Sequence, residues 1–190
     1  IPDSGVPAAL GFSQTSGIPF ELGLIRNHYV GRTFIEPTQS IRQFGVKLKH
    51  SVNVSYIKNK KVILIDDSIV RGTTAKKIVK MVYDAGAKEV HLGVSCPPIT
   101  HPDFYGIDTP NYNGLLASNK NIDEMSSIIG TKSLFFLSLD GTYRAMGCEE
   151  RDSSSPQFTD HCFTGDYPTP LIDMEQGNVS KQYSLLTEKS

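Results

Sequence analysis

Residues 62–74 read Val62-Ile63-Leu64-Ile65-Asp66-Asp67-Ser68-Ile69-Val70-Arg71-Gly72-Thr73-Thr74. The first four are apolar and rich in β-branched side chains, the composition of a strand covered on both faces in an α/β sheet. Two acids follow at the carboxyl end of that strand, where ligands of such sheets gather. Ionised carboxylates offer acceptors and negative charge but no donors, so Asp66 and Asp67 suit vicinal hydroxyls or a divalent cation. Beyond them, Arg71-Gly72-Thr73-Thr74 permits a tight turn and opens a helix whose first amides lack partners within the helix and attract phosphate. Ala75, Ile78, Val79 and Val82 recur at i, i+3, i+4 and i+7 and predict that helix, with Ala85-Gly86 as its stop. The ligand implied is a hydroxyl-rich sugar carrying phosphate.

Alone, a strand followed by two acids and a glycine turn is also what a solvated loop with a helix cap looks like. The whole thirteen-residue string, with both threonines after the glycine, is more specific. It resembles the phosphoribosyl-pyrophosphate (PRPP) loop of type I phosphoribosyltransferases. Three more segments narrow the resemblance: Pro2-Asp3-Ser4-Gly5, then Leu24-Ile25-Arg26-Asn27-His28-Tyr29-Val30-Gly31-Arg32-Thr33-Phe34-Ile35, and, after the loop, Tyr105-Gly106-Ile107-Asp108. In that order, from Pro2 to about Pro168, the chain resembles the glutamine PRPP amidotransferase family, also called amidophosphoribosyltransferases.

The resemblance implies a PRPP site made of Asp66, Asp67, Ser68, Val70, Arg71, Gly72, Thr73 and Thr74, with Mg²⁺ held by Ser4, Asp66 and Asp67. Mg²⁺ takes few protein oxygens and shares its shell with water and substrate phosphates, which agrees with so sparse a set. The segment from Leu24 to Ile35 is implied to be a mobile flap over PRPP. Loss of pyrophosphate from the anomeric carbon develops oxocarbenium character, and water would compete with the intended nucleophile, so a lid is required. Arg26 and Asn27 are expected to contact substrate, with Tyr29 and Arg32 as the catalytic residues of the flap. Many relatives carry Lys-Asn-Arg-Tyr where this chain has Arg26-Asn27-His28-Tyr29, which makes charge at the third position pH-dependent. The plain reading of His28 is an exposed loop residue, and that of Arg42, Lys47 and Lys49 a solvated helix face. Gly72→Val is expected to damage binding more than stability, because a Cβ obstructs close backbone approach to phosphate.

The reaction implied brings ammonia to C1 of PRPP with departure of pyrophosphate, giving 5-phosphoribosylamine, the first committed step of purine synthesis. Two other readings stay open: a PRPP-sensing regulatory domain without transferase activity, and a base-salvage phosphoribosyltransferase. In the full-length family an amino-terminal glutaminase domain releases the ammonia from glutamine. Nothing in the sequence corresponds to it, and the chain, opening at Ile1 on a loop that a preceding strand should deliver, reads as truncated at its amino end. A homo-oligomer is expected from the resemblance.

Composition bounds the rest. The 190 residues, 38% of them hydrophobic, suffice for one domain with a real core. A net charge of −1 offers no general attraction to nucleic acid, and no apolar stretch is long enough to span a membrane, so a cytoplasmic protein without either partner is expected. Glu89 to Ser95 and Ser133 to Leu137 read as strands, Asn121 to Ile129 and Leu139 to about Met146 as helices. Together with the opening stretch they predict an α/β fold, a mainly parallel sheet covered by helices, over residues 1–150. Residues 151–190 read as an irregular extension and polar tail.

The three cysteines, Cys96, Cys148 and Cys162, are odd in number and far apart, which indicates neither a disulfide framework nor a zinc knuckle. Some members of the family carry an iron–sulfur cluster, and the positions of three of its ligands here hold Asp103, Thr159 and Cys162. One sulfur cannot hold a four-thiolate cluster, so none is expected. His101 and His161 read as surface histidines, since their spacing supports no second metal site. His50 and His91 receive no role.

Overall fold

The computed structural model describes residues 1–27 and 50–171. Its first elements are α1 (Val6–Ser16), β1 (Leu24–Arg26), β2 (His50–Val52), α2 (Val54–Ile57), β3 (Lys61–Asp66), α3 (Thr73–Asp84) and β4 (Glu89–Val94). A 3-10 turn at Tyr112–Gly114 leads to α4 (Leu116–Asn119), α5 (Ile122–Ile129), β5 (Ser133–Phe136), α6 (Leu139–Ala145) and α7 (His161–Thr164). β3, β4 and β5 form a parallel sheet in that order, with Leu64 opposite Leu92 and Leu92 opposite Leu134. β1 and β2 make a separate antiparallel pair, with Arg26 opposite His50.

Each central element follows from local chemistry. α3 buries Ala75, Ile78, Val79 and Val82, the stripe its spacing predicts, against Leu64, Val90 and Leu92 of the sheet and Met125 and Ile129 of α5. α5 begins with a reciprocal cap, in which the Asn121 side chain accepts from the Glu124 amide and the Glu124 carboxylate accepts from the Asn121 amide, both at 2.9 Å. Gly130, at φ 88°, ends it in the left-handed conformation that glycine adopts without strain. Among the described residues no helix is long and apolar enough to cross a membrane.

α1 and the β1–β2 pair are among the elements that have no counterpart in the sequence reading. α1 buries none of its residues, so it lacks the apolar stripe that betrays a packed helix. β1 and β2 are three residues each, too short for an alternation to register. Their pairing brackets residues 27–49, and the first three residues of the expected flap, Leu24–Arg26, are β1 itself.

The first part of the extension is irregular in backbone and anchored by charge. The Arg151 guanidinium donates to both oxygens of Asp160, at 2.5 and 3.2 Å, and Asp160 also accepts from the Tyr143 hydroxyl at 2.8 Å and from Thr164 at 3.0 Å. Asp160 is 5% exposed and Tyr143 2%. Burial alone would raise the Asp160 pKa, but the bonds from Arg151, Tyr143 and Thr164 outweigh it and hold the carboxyl below the usual carboxylate range. Its stabilising effect is therefore complete above the unfolded-state value and fades as pH falls through the lower folded-state one. Removing one partner of a buried ion pair costs about 3–5 kcal/mol. Asp160→Asn is expected to lower the unfolding free energy of the full chain by about 3 kcal/mol in urea titrations near neutrality. The gap to the unsubstituted protein should narrow below about pH 4.

Candidate functional site

The site is built at the carboxyl end of β3. Asp66, its last residue, is 8% exposed, whereas Asp67 stands in solvent. The Asp66 carbonyl accepts from the Ser95 amide at 2.9 Å and the Ser95 hydroxyl at 3.1 Å, which locks the strand end to β4. One Asp66 side-chain oxygen accepts from the Asp67 amide at 3.1 Å, and one of Asp67 from the Ser68 amide at 2.9 Å. Burial pushes the Asp66 carboxyl up to about 7, and the neighbouring Asp67 charge adds to the rise. Two adjacent acids that resist carrying two charges suit a divalent cation, which would remove the repulsion, so the donor set fits Mg²⁺. Burial likewise pushes the nearby Cys96 thiol up to about 12, with Asp67 and then Asp66 contributing. Mg²⁺, a hard cation, prefers the carboxylate oxygens to this thiol.

The Pro2-Asp3-Ser4-Gly5 loop lies against this strand end. A Cβ on Gly5 would sit 2.5 Å from the Ile65 carbonyl oxygen, so the loop approaches β3 more closely than any side chain permits. Ser4 and Asp3 are exposed on it. Arg26 forms an ion pair with Asp3, which ties β1 to the loop. Both side chains are partly solvated, and pairs of that kind contribute little, about 0–1 kcal/mol, so Arg26 can exchange Asp3 for another anion at small cost. Asn27 is exposed. The expected catalytic residues Tyr29 and Arg32 lie outside the described residues, as do His28, Arg42, Lys47 and Lys49.

Between β3 and α3 the loop is hung on Ile69, which is 2% exposed and packs in the core. With Ile69 inward, Ser68 and Val70 are half-buried and Arg71, Thr73 and Thr74 face solvent. α3 starts without a side-chain cap, and its first bond runs from the Lys76 amide to the Gly72 carbonyl at 2.9 Å. The amides of residues 73–75 therefore have no acceptor inside the helix, the arrangement that binds phosphate oxygens. Gly72 itself sits at φ 73°, and a Cβ there would lie 2.6 Å from Leu116 Cδ2 of α4. The Leu116 amide in turn donates to the Val70 carbonyl at 2.9 Å. Gly72 is thus demanded by the turn and by α4 as much as by an approaching phosphate, which revises the expectation that its replacement affects binding above stability. No sequence signal pointed to Leu116, because its partnership with the loop is purely tertiary.

A second cluster lies apart from the acids in sequence. His161 is buried, with Nε2 2.8 Å from Asp103 Oδ2 and its ring against those of Tyr105 and Tyr167 at 5.1 and 5.2 Å between centroids. This corrects the reading of His161 as a surface residue. Two aromatic faces and a carboxylate 58 residues away cover it, and none of them is visible in local spacing. His50 is also buried, on β2, and His91 bridges β4 and β5 through the Ser133 hydroxyl at 2.7 Å.

A parallel sheet with helices packed on it, acids at the end of one strand and an uncapped helix start beyond them define a domain of the type I phosphoribosyltransferase class. The amidophosphoribosyltransferase of Rhizobium etli is 60% identical over 187 residues, a match covering 98% of this chain and 38% of the relative. That of Bacillus subtilis is 48% identical over 171 residues, covering 90% of the chain and 36% of the relative. The solved structure of the Bacillus subtilis glutamine PRPP amidotransferase, complexed with ADP and GMP, superposes with a TM-score of 0.76 at 49% identity, over 89% of this chain and 37% of that one. No protein-family model matches. Over nearly its whole length the chain is similar to part of these amidophosphoribosyltransferases, and it spans little more than a third of their length.

The bracing of the loop is open to a mutant cycle. Gly72→Ala is expected to cost about 2 kcal/mol, part from the left-handed backbone and part from overpacking against Leu116. In a Leu116→Ala background the added cost should fall to about 1 kcal/mol, the backbone share alone. Chemical denaturation of the four proteins measures the coupling; strict additivity would mean that α4 does not brace the turn.

Proposed function

We propose that this chain is the phosphoribosyl-transfer part of an amidophosphoribosyltransferase and that its β3–α3 loop binds PRPP. The observation that carries the reading is the sequence of functions within one loop: a buried and an exposed carboxylate at the strand end, then an uncapped helix start. The free amides near Gly72, Thr73 and Thr74 receive the 5-phosphate. Asp66 and Asp67 accept hydrogen bonds from the ribose hydroxyls and, with Ser4, supply oxygens to Mg²⁺. When bound, Mg²⁺ neutralises charge on the departing pyrophosphate.

Ammonia brings its own lone pair, so neither acid has to act as a general base. The work of the protein is to orient C1, to hold negative charge beside an oxocarbenium-like centre and to keep water out. Tyr29 and Arg32 of the flap close over the pyrophosphate, and Arg26 exchanges Asp3 for it. Ammonia derives from glutamine on a glutaminase domain of the full-length protein, which assembles as a homo-oligomer in the cytoplasm. The identities of 48–60% to named amidophosphoribosyltransferases support this reading over a PRPP sensor or a base-salvage enzyme.

The test is pyrophosphate release from PRPP by the full-length protein, driven by ammonia, with adenine, guanine, hypoxanthine and orotate offered as alternative acceptors. Ammonia alone is expected to support turnover; release that depends on a base would assign a salvage enzyme, and binding without release a sensor. Asp67→Asn is expected to weaken PRPP binding at limiting Mg²⁺ about tenfold, equivalent to about 1.4 kcal/mol. Unchanged affinity would remove Asp67 from the site.

A further inference from the structure

We propose that Asp103, His161 and Cys162 form a second metal site, distinct from the PRPP loop, which takes one zinc-class divalent cation. The three residues present a carboxylate oxygen, an imidazole nitrogen and a sulfur all within 4.8 Å of one another. Donor atoms around tetrahedral zinc lie about 3.5 Å apart, so His161 Nε2 and Asp103 Oδ2, now 2.8 Å apart, would open slightly while the widest pair draws in, both within reach of side-chain rotation.

The donors are held before any ion arrives. Asp103 accepts from the Tyr105 and Ile107 amides through one oxygen, at 2.9 and 2.8 Å, which fixes its plane and aims the other oxygen at His161. The Asp103 and His161 side chains are 3% and 8% exposed. The Cys162 carbonyl accepts from the Thr100 and His101 amides at 2.9 and 3.1 Å, and the Tyr167 hydroxyl donates to the Pro102 carbonyl at 2.8 Å. These bonds cross-tie α7 to the segment that carries Asp103.

His161 Nδ1 is buried and has no hydrogen-bond partner among the described residues. A buried polar atom left in that state costs about 1–3 kcal/mol. A cation held by Asp103 Oδ2 and His161 Nε2 would replace the proton that these two atoms share and leave Nδ1 as the N–H of the ring.

The donor set selects the ion. Sulfur, nitrogen and oxygen together favour zinc or its cobalt surrogate, whereas Mg²⁺ and Ca²⁺ prefer oxygen alone. Three protein donors leave a fourth tetrahedral position for water. Burial, reinforced by the Asp103 charge, holds the Cys162 thiol above its ordinary pKa, so the empty site keeps a protonated sulfur and binding expels that proton. The site is not a four-thiolate cluster, because Cys162 is its single sulfur while Cys96 lies beside Asp66 and Asp67.

The proposal does not depend on the proposed function, and its test reads the metal directly. Full-length protein, stripped by chelator under reducing anaerobic conditions, is titrated with Co²⁺ and back-titrated with Zn²⁺. The expected result is one equivalent of cobalt, a thiolate-to-cobalt charge-transfer band, tetrahedral d–d absorbance and full displacement by zinc. Cys162→Ser should abolish the charge-transfer band and His161→Gln should weaken cobalt binding at least tenfold, while Cys96→Ser and Cys148→Ser keep both signals. Zinc should raise the Tm of the unsubstituted protein by about 3–5 °C and leave that of either site variant unmoved. Should Cys162→Ser fail to fold, His161→Gln carries the test alone. The proposal is overturned by absence of the band, by a band that survives Cys162→Ser, by binding at millimolar cobalt only, or by iron accompanied by acid-labile sulfide.

Discussion

The molecule depends on a carboxylate buried at the end of a strand. Asp66 is 8% exposed, and its backbone is locked to the end of β4 by Ser95, so the residue cannot leave the strand end without breaking the parallel register. Burying an acid is costly unless it is protonated, paired or bound to a cation. The protein's own remedy is partial, a raised pKa and one hydrogen bond from the Asp67 amide. Everything around the acid serves to hold that unsatisfied state. Ile69 hooks the loop into the core, the Val70 carbonyl is tied to Leu116, and Gly5 brings the serine-bearing loop against the strand.

Helix α3 completes the logic by supplying the opposite sign. An uncapped start presents backbone donors beside two acceptors, and the two cannot neutralise each other because the sheet fixes one and the helix the other. A ligand with hydroxyls at one end and a phosphate at the other satisfies both at once. The glycine at the junction is held by its left-handed backbone and by the Leu116 side chain, which a Cβ would meet.

The parts of this design that are local were legible in the sequence. β3 and α3 announce themselves through an apolar β-branched run and a 3.6-residue stripe, and their ends fall within a residue or two of the expected ones because Gly72 and Gly86 mark real left-handed turns. α5 was equally readable. What stayed hidden was tertiary. α1 buries no residue and so writes no pattern, Leu116 acts on a loop more than forty residues earlier, and the Asp103–His161 pair spans 58 residues. Arg26 was read as a ligand residue from its place in a basic segment, yet its partner in the free protein is Asp3, a contact that no spacing rule predicts.

α7 shows how such long-range contacts make structure where local propensity cannot. A helix of one turn is not stable by itself, since nucleation fixes several residues for a single bond. Here successive residues point to different partners: Asp160 at its cap engages Arg151 and Tyr143, His161 engages Asp103, and the Cys162 carbonyl takes two amides from residues 100 and 101. The turn is therefore a staple between α6 and the segment that precedes the Tyr105-Gly106-Ile107-Asp108 stretch. Its stability is set by side-chain charge and hydrogen bonds. A staple of that kind keeps an irregular extension in register without adding a second core, at the cost of making its order depend on a few polar atoms.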